Sequence, residues 1–136
     1  MRLRIVRPIG LVLAAAVLLV GCGAPAVRVE GAQAASRGFE QALAARDFVS
    51  ACDLTAPETR AALEEGEKQR CPKALAGQGL PVSHAMAGVE VYGRQAMVRL
   101  DSDTLFLSQF EDGWKVVAAG CEPRGDKPYR CKVKGG

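Results

Sequence analysis

The chain has 136 residues, 49% of them hydrophobic but only 5% aromatic, with 18 Lys+Arg against 15 Asp+Glu and a formal net charge of +3. That length suits one small domain. The excess of positive charge sits in Arg2, Arg4 and Arg7; without the first 21 residues, 15 basic and 15 acidic residues remain, which removes the electrostatic case for a nucleic-acid partner.

Those three arginines precede an apolar block from Ile9 to Val20 with no acidic residue among them. A basic region followed by about a dozen apolar residues is the pattern of a secretory signal, and the block falls short of the roughly 20 residues a spanning helix needs. Pro8 and Gly10 further weaken it as a stable helix. The block ends in Leu19-Val20-Gly21-Cys22, which resembles the lipobox of bacterial lipoproteins. The resemblance implies a diacylglyceryl group on the Cys22 sulfur, palmitate-type acylation, cleavage before Cys22 and a mature chain of about 115 residues. The expected organisation is a signal peptide over 1–21, a lipidated tether over 22–33 and a single domain over 34–136. Cysteine count agrees with this division. Five cysteines in an exported chain leave one over; with Cys22 given to the lipid, Cys52, Cys71, Cys121 and Cys131 form an even set in an oxidising compartment.

Ala24 to about Gln33, with Pro25 and Gly31, reads as the tether. From there to Arg46, Ala35, Phe39, Ala42, Leu43 and Arg46 recur at spacings of three and four, predicting an amphipathic helix weakened by Gly38 and continuing raggedly through Phe48, Val49 and Cys52. Thr55-Ala56-Pro57-Glu58 has the form of a capping box, so a short helix should follow and end near Gly66. Pro72 opens another brief helix that Gly77 stops.

The period then changes to two. Val89–Tyr92, Ala96–Leu100, Thr104–Leu107 and Trp114–Val117 are strand-like runs, separated by Gly93-Arg94, Asp101-Ser102-Asp103 and Glu111-Asp112-Gly113, each short enough for a hairpin. Alternation places Trp114 inward and Lys115 toward water. Tyr129 to Val133 alternates as well, with Arg130, Lys132 and Lys134 on one side. Together with Arg124 and Lys127 they form a local basic run, read as a solvated strand face or as a match for an anionic lipid surface. The class expected is α+β, helices packed on a curved antiparallel sheet and stapled by two disulfides.

This order, closed by Asp112-Gly113-Trp114-Lys115-Val116, resembles the cone-shaped nuclear-transport-factor-two-like superfamily, which includes ketosteroid isomerase and scytalone dehydratase. More narrowly, GWKVVAAGCEPRGDKPYRC is similar to the C-terminal signature of actinobacterial lipoproteins of unknown function, a likeness that extends over most of the chain. The superfamily implies a cone interior, for which Tyr92 and Trp114 are the candidate aromatic markers.

Four cysteines allow three pairings, of which the two local ones, Cys52–Cys71 and Cys121–Cys131, are favoured. Neither pair has the Cys-x-x-Cys spacing of a redox site or the short ligand spacing of a zinc site. His84, the only histidine, would have to serve any Ser-His-acid triad, and Ser83 points away from it in an extended segment. Asp101 and Asp103 fall in an expected turn, where Asp bonds nearby backbone, and no ketosteroid isomerase role maps onto a numbered position. No catalytic residue, cofactor or metal is therefore expected. The functional expectation is a lipid-anchored module on the extracytoplasmic face of the cell membrane, binding an envelope protein or a small apolar ligand. The alternative is a small cone-fold enzyme of isomerase or dehydratase type. A buried ionisable residue in a pocket separates the two, because catalysis needs a shifted pKa.

Overall fold

The computed structural model describes residues 23–135, so Cys22 and the signal segment lie outside the described residues. Helix α1, Ala26–Ala44, starts within the stretch read above as a tether. Its buried positions Ala32, Ser36, Phe39, Glu40 and Leu43 keep a spacing of three and four, so one apolar stripe runs along it. Gly31 belongs to that stripe for a steric reason. A Cβ there would stand 2.8 Å from both Cδ1 and Nε1 of Trp114, and the missing side chain is what lets the indole lie on the helix. The glycine that reads as flexibility is a packing contact.

Arg46, with φ of 55°, turns the chain out of α1, and Asp47 caps α2, Phe48–Asp53, by accepting a 3.1 Å bond from the Ser50 amide. The expected capping box at Thr55 does not form. The Thr55 hydroxyl donates back to the Ala51 carbonyl at 2.9 Å, and the N-cap of α3, Pro57–Glu67, is Ala56 with no side-chain bond. Strand pairing wins here. The Val116 amide donates to the Leu54 carbonyl and the Ala56 amide to the Val116 carbonyl, both at 2.8 Å, with Thr55 and Val116 forming a parallel bridge. Helix α3 ends one residue past Gly66, with Lys68 left-handed at φ 55°. Helix α4, Cys71–Ala76, has Pro72 in its first turn and Gly77 after its last residue, as the sequence predicts.

Five antiparallel strands follow in simple meander order: β1 Met86–Tyr92, β2 Gln95–Leu100, β3 Thr104–Phe110, β4 Gly113–Arg124 and β5 Lys127–Lys134. The helices cover one face of this open sheet, α1 against β1, β2 and β4, and α3 against β4 and β5. The fold is α+β. Its core joins Phe39, Leu43, Leu63 and Leu75 of the helices to Val98, Leu105, Leu107, Trp114, Val116 and Val133 of the strands. Between these inward residues Met97, Arg99, Phe106 and Ser108 alternate to the uncovered face, where the Phe106 ring meets Tyr129 edge-on with centroids 5.2 Å apart.

Both local disulfides are present, Cys52–Cys71 tying α2 to α4 and Cys121–Cys131 tying β4 to β5. In a domain with few large aromatics, closing loops of 19 and 10 residues contributes about 2–4 kcal/mol each in the chain-entropy view. Lys115 departs from the expectation of a water-facing side chain: its ammonium donates to the Asp53 carbonyl at 2.8 Å and pairs with Asp112 at 3.4 Å, fastening α2 to the β3–β4 hairpin.

Trp114 is buried, and its replacement by Ala should cost about 3–5 kcal/mol in denaturant unfolding with disulfides intact. Gly31→Ala tests the contact more sharply. In an open helix that change gains up to about 1 kcal/mol, as expected for Gly66→Ala, which meets nothing within 4 Å. At Gly31 it should instead lose about 1–3 kcal/mol, and the loss should disappear when Trp114 is also Ala. Additive effects in that double-mutant cycle would show the indole is elsewhere.

Candidate functional site

A cleft of about 280 Å³ opens where the C-terminal half of α1 passes the extended segment leading into β1. Ser36, Arg37, Glu40 and Ala44 line it from α1; Ser83, His84 and Met86 line it from the segment and the start of β1, and Leu100 closes it from β2. Most of its surface is carbon. The exception with consequences is Glu40, which is only 6% exposed.

One Glu40 oxygen, Oε2, accepts a 2.7 Å bond from the Ser83 amide; the other, Oε1, is buried with no hydrogen-bond partner among the described residues. An ionised carboxylate in that position has lost its water and regained half of its bonds. Burial accordingly pushes the Glu40 carboxyl up to about 7, opposed by the Ser83 N–H and reinforced by the negative charges of Asp103 and Asp101. The group is thus balanced between its two protonation states near neutral pH.

The wall opposite Glu40 is held by a line of backbone-to-side-chain bonds. The Ser83 hydroxyl accepts from the Ser102 amide at 3.3 Å, and Asp101 accepts from the His84 amide at 3.1 Å. Asp101, exposed and bonded by that amide first of all, lies below the usual carboxylate range. Asp103 does more than turn the chain. Its Oδ1 accepts from the Thr104 and Cys121 amides at 2.7 and 2.9 Å, and its Oδ2 accepts from the Gly120 amide at 2.8 Å. Burial pushes its carboxyl up while these three amides work against the rise. Gly120 itself sits at φ 65°, and a Cβ there would be 2.9 Å from Leu80, so the position suits glycine on both counts.

The residues singled out from the sequence fall as follows. Cys52, Cys71, Cys121 and Cys131 are paired, and Cys22 lies outside the described residues. Trp114 is in the core, whereas Tyr92 is 71% exposed at the end of β1 with its hydroxyl donating to Glu90; neither lines the cleft. His84 is exposed on the cleft while Ser83 is buried, the two pointing apart as an extended segment requires. Among the described residues no group of three or more His, Cys, Asp and Glu is placed to hold a metal ion, and no helix is long and apolar enough to cross a membrane.

Glu40 escaped the reading of the sequence, although its position was available. Ser36, Phe39, Glu40 and Leu43 stand at i, i+3, i+4 and i+7, which puts the carboxylate on the inward stripe of α1. Comparison of the chain with family models, with curated proteins and with solved structures returns no match. The chemistry of the cleft rests on its own geometry.

That chemistry is to receive a hydrogen-bond donor or to exchange a proton. Because Glu40 titrates higher in the folded than in the unfolded chain, the native state holds an extra proton between about pH 4.5 and 7. Its contribution to stability is complete below pH 4.5 and is lost as the pH rises through about 7. With the cleft side screened by water, the loss should be on the order of 2 kcal/mol. In Glu40→Gln that slope should flatten, which unfolding midpoints across pH 4–8 will report.

Asp103→Ala should behave differently. It strands the Gly120 and Cys121 amides in a buried position and should cost about 2–4 kcal/mol at pH 7. A loss below about 0.5 kcal/mol would mean water replaces the carboxylate there.

Proposed function

We propose that this chain is a bacterial lipoprotein, held through lipidated Cys22 at the extracytoplasmic face of the cell membrane, and that its domain is a non-enzymatic binding module with the α1–β1 cleft as its ligand site. The anchor reading draws support from the pairing of the other four cysteines, which leaves Cys22 as the remaining thiol of the five. Two disulfides in so small a domain also suit an oxidising compartment. The resemblance of Leu19-Val20-Gly21-Cys22 to a lipobox supplies the modification.

The observation that carries the binding reading is Glu40, a buried carboxyl in an apolar-lined cleft with one oxygen bonded and one without a partner. Natural interiors rarely leave such a group half satisfied, and ligand pockets combine an apolar lining with a few placed polar groups. A second reading, a proton-transferring enzyme of the isomerase or dehydratase type, is favoured by the Glu40 value near neutrality, where a general acid or base works best. The binding reading ranks first because the Ser83 hydroxyl beside Glu40 is engaged by the Ser102 amide and His84 is exposed, so no second reacting group is lined up with the carboxyl.

Two measurements test the proposal. Metabolic labelling with a fatty acid should mark the parent chain and fail on Cys22→Ser; label that survives the substitution ends the lipoprotein reading. A fragment screen by amide NMR on the full chain in detergent micelles should return hits whose shifts concentrate at Ser83, His84 and Leu100. Hits that avoid these amides would remove the cleft as the ligand site.

A further inference from the structure

The antiparallel meander sorts its turns between two ends of the domain. The β1–β2 and β3–β4 turns lie at one end, the β2–β3 and β4–β5 turns at the other. Helix α1 starts at the first of these. There the Arg28 guanidinium donates from Nη1 to the Gly93 carbonyl at 3.2 Å, and the Gly31 backbone lies against Trp114, the second residue of β4. Arg94 ties the same corner to β3, donating from Nε and Nη2 to the Gln109 carbonyl at 3.1 and 3.0 Å.

Exposed apolar side chains gather at this end. Among the described residues three large hydrophobic side chains are exposed, and the two most exposed are Val27 and Tyr92. Each immediately precedes one partner of the Arg28–Gly93 bond, so they flank a single contact. Phe110, half-buried, is the last residue of β3 and reaches the same end. The third, Val49, belongs to α2, beyond the opposite end of α1. Tyr92 donates its hydroxyl to Glu90 at 3.2 Å, leaving an apolar ring with a polar tip, the form that favours a membrane–water interface. Formal charge at the corner cancels: Arg28 and Arg94 stand against Glu30 and Glu111, while Lys115 is paired with Asp112 and Arg99 with Glu90. Apolar exposure, and not attraction to an anionic surface, distinguishes this end. Arg124 and Lys127 of the basic run are at the other, up to about 35 Å away along β4.

Two such side chains would not hold a protein on a bilayer, since even one myristoyl chain binds only reversibly. A tether changes what they can do. With Cys22 lipidated, only three residues separate the anchor from α1, and the surface contact becomes intramolecular. A weak contact then selects an orientation instead of supplying the affinity.

We propose that this end of the domain is a lipid-contact surface. Val27 and Tyr92 sit in the interface of the bilayer that holds Cys22, the β1–β2 and β3–β4 turns face the membrane, and the β4–β5 tip points away from it. This rests on the lipid-anchor reading and goes beyond it by assigning the face that meets the lipid.

The test takes the isotope-labelled full chain, isolated with its anchor, into lipid nanodiscs carrying a gadolinium-chelating headgroup. Mass spectrometry reads acylation at Cys22, and amide relaxation reads proximity to the bilayer. The leash alone brings Val27 close, so Gly93 and Glu111 are the deciding amides. Their relaxation should be strongly enhanced, that of Gly125 and Lys127 little, and equally so on zwitterionic and anionic discs. Val27→Ser combined with Tyr92→Ser alters only exposed side chains and should leave the rest of the amide spectrum unchanged. It should reduce the bias between the two ends about tenfold, the worth of returning one valine-sized side chain to water. Enhancement spread evenly over both ends overturns the proposal, as does enhancement centred on Lys127 or a bias that the double substitution leaves intact. An acylated chain with any of these results loses the lipid-contact surface and keeps its anchor. A chain without acyl groups at Cys22 loses both.

Discussion

The buried carboxylate of Asp103 is the constraint on which the sheet turns. Strand β4 is 12 residues long and must serve two partners, β3 along its first part and β5 along its second. The ladder to β3 ends at Phe106 opposite Ala118, and just beyond it the chain passes through Gly120 in a left-handed conformation that no regular pairing accommodates. The amides of Gly120 and Cys121 would be orphaned there. Asp103 takes both, together with that of Thr104, and so ends one hairpin while fixing the bend that starts the next. The disulfide between Cys121 and Cys131 then closes the second hairpin directly after the bend.

From the same turn a run of bonds reaches α1. Asp101 holds the His84 amide, Ser83 holds the Ser102 amide, and Glu40 holds the Ser83 amide. Each link joins a side chain to a backbone group, so the extended segment ahead of β1 is positioned without entering the sheet. The cleft lies where that segment meets α1, joined to it by the Glu40 carboxylate while Leu80, Val82 and Met86 pack against the core on either side. Glu40 thus fixes the wall through one oxygen while the other stays buried without a partner among the described residues. Its near-neutral titration follows from that burial.

Much of the architecture was legible in the residues. Alternation at Ala96-Met97-Val98, Leu105-Phe106-Leu107 and Trp114-Lys115-Val116 placed three central strands, because a sheet covered on one face imposes period two on whatever packs against it. The strands extend beyond those runs because backbone pairing continues where side chains no longer alternate, as at Cys121 to Arg124 opposite Lys127 to Cys131. Local rules failed where a distant partner intervened. Thr55 has the spacing of a cap, but Val116 offers two backbone bonds to its neighbours, against one or two from the box. Gly31 has the look of a linker, but Trp114 lies on it from 83 positions away. Asp103 has the composition of a turn, and its buried role depends on amides 17 and 18 residues later. Glu40 was the exception: its spacing from Ser36, Phe39 and Leu43 puts it on the inward stripe, although Glu is far commoner on exposed faces.

With Cys22 as the proposed lipid anchor, the early start of α1 would set how far the domain can rise from a membrane. Between Cys22 and Ala26 lie only Gly23, Ala24 and Pro25, which even fully extended reach about 10 Å. With Cys22 lipidated, the first turn of α1 would ride at the height of the headgroups, and Val27, 73% exposed on that turn, would meet their apolar boundary. The cleft begins at Ser36, about 15 Å further along the helix axis. An upright α1 lifts the cleft mouth into bulk water, while a tilted one lowers it to the lipid surface. On so short a leash, the angle of one helix would select the phase from which a ligand of the proposed site arrives.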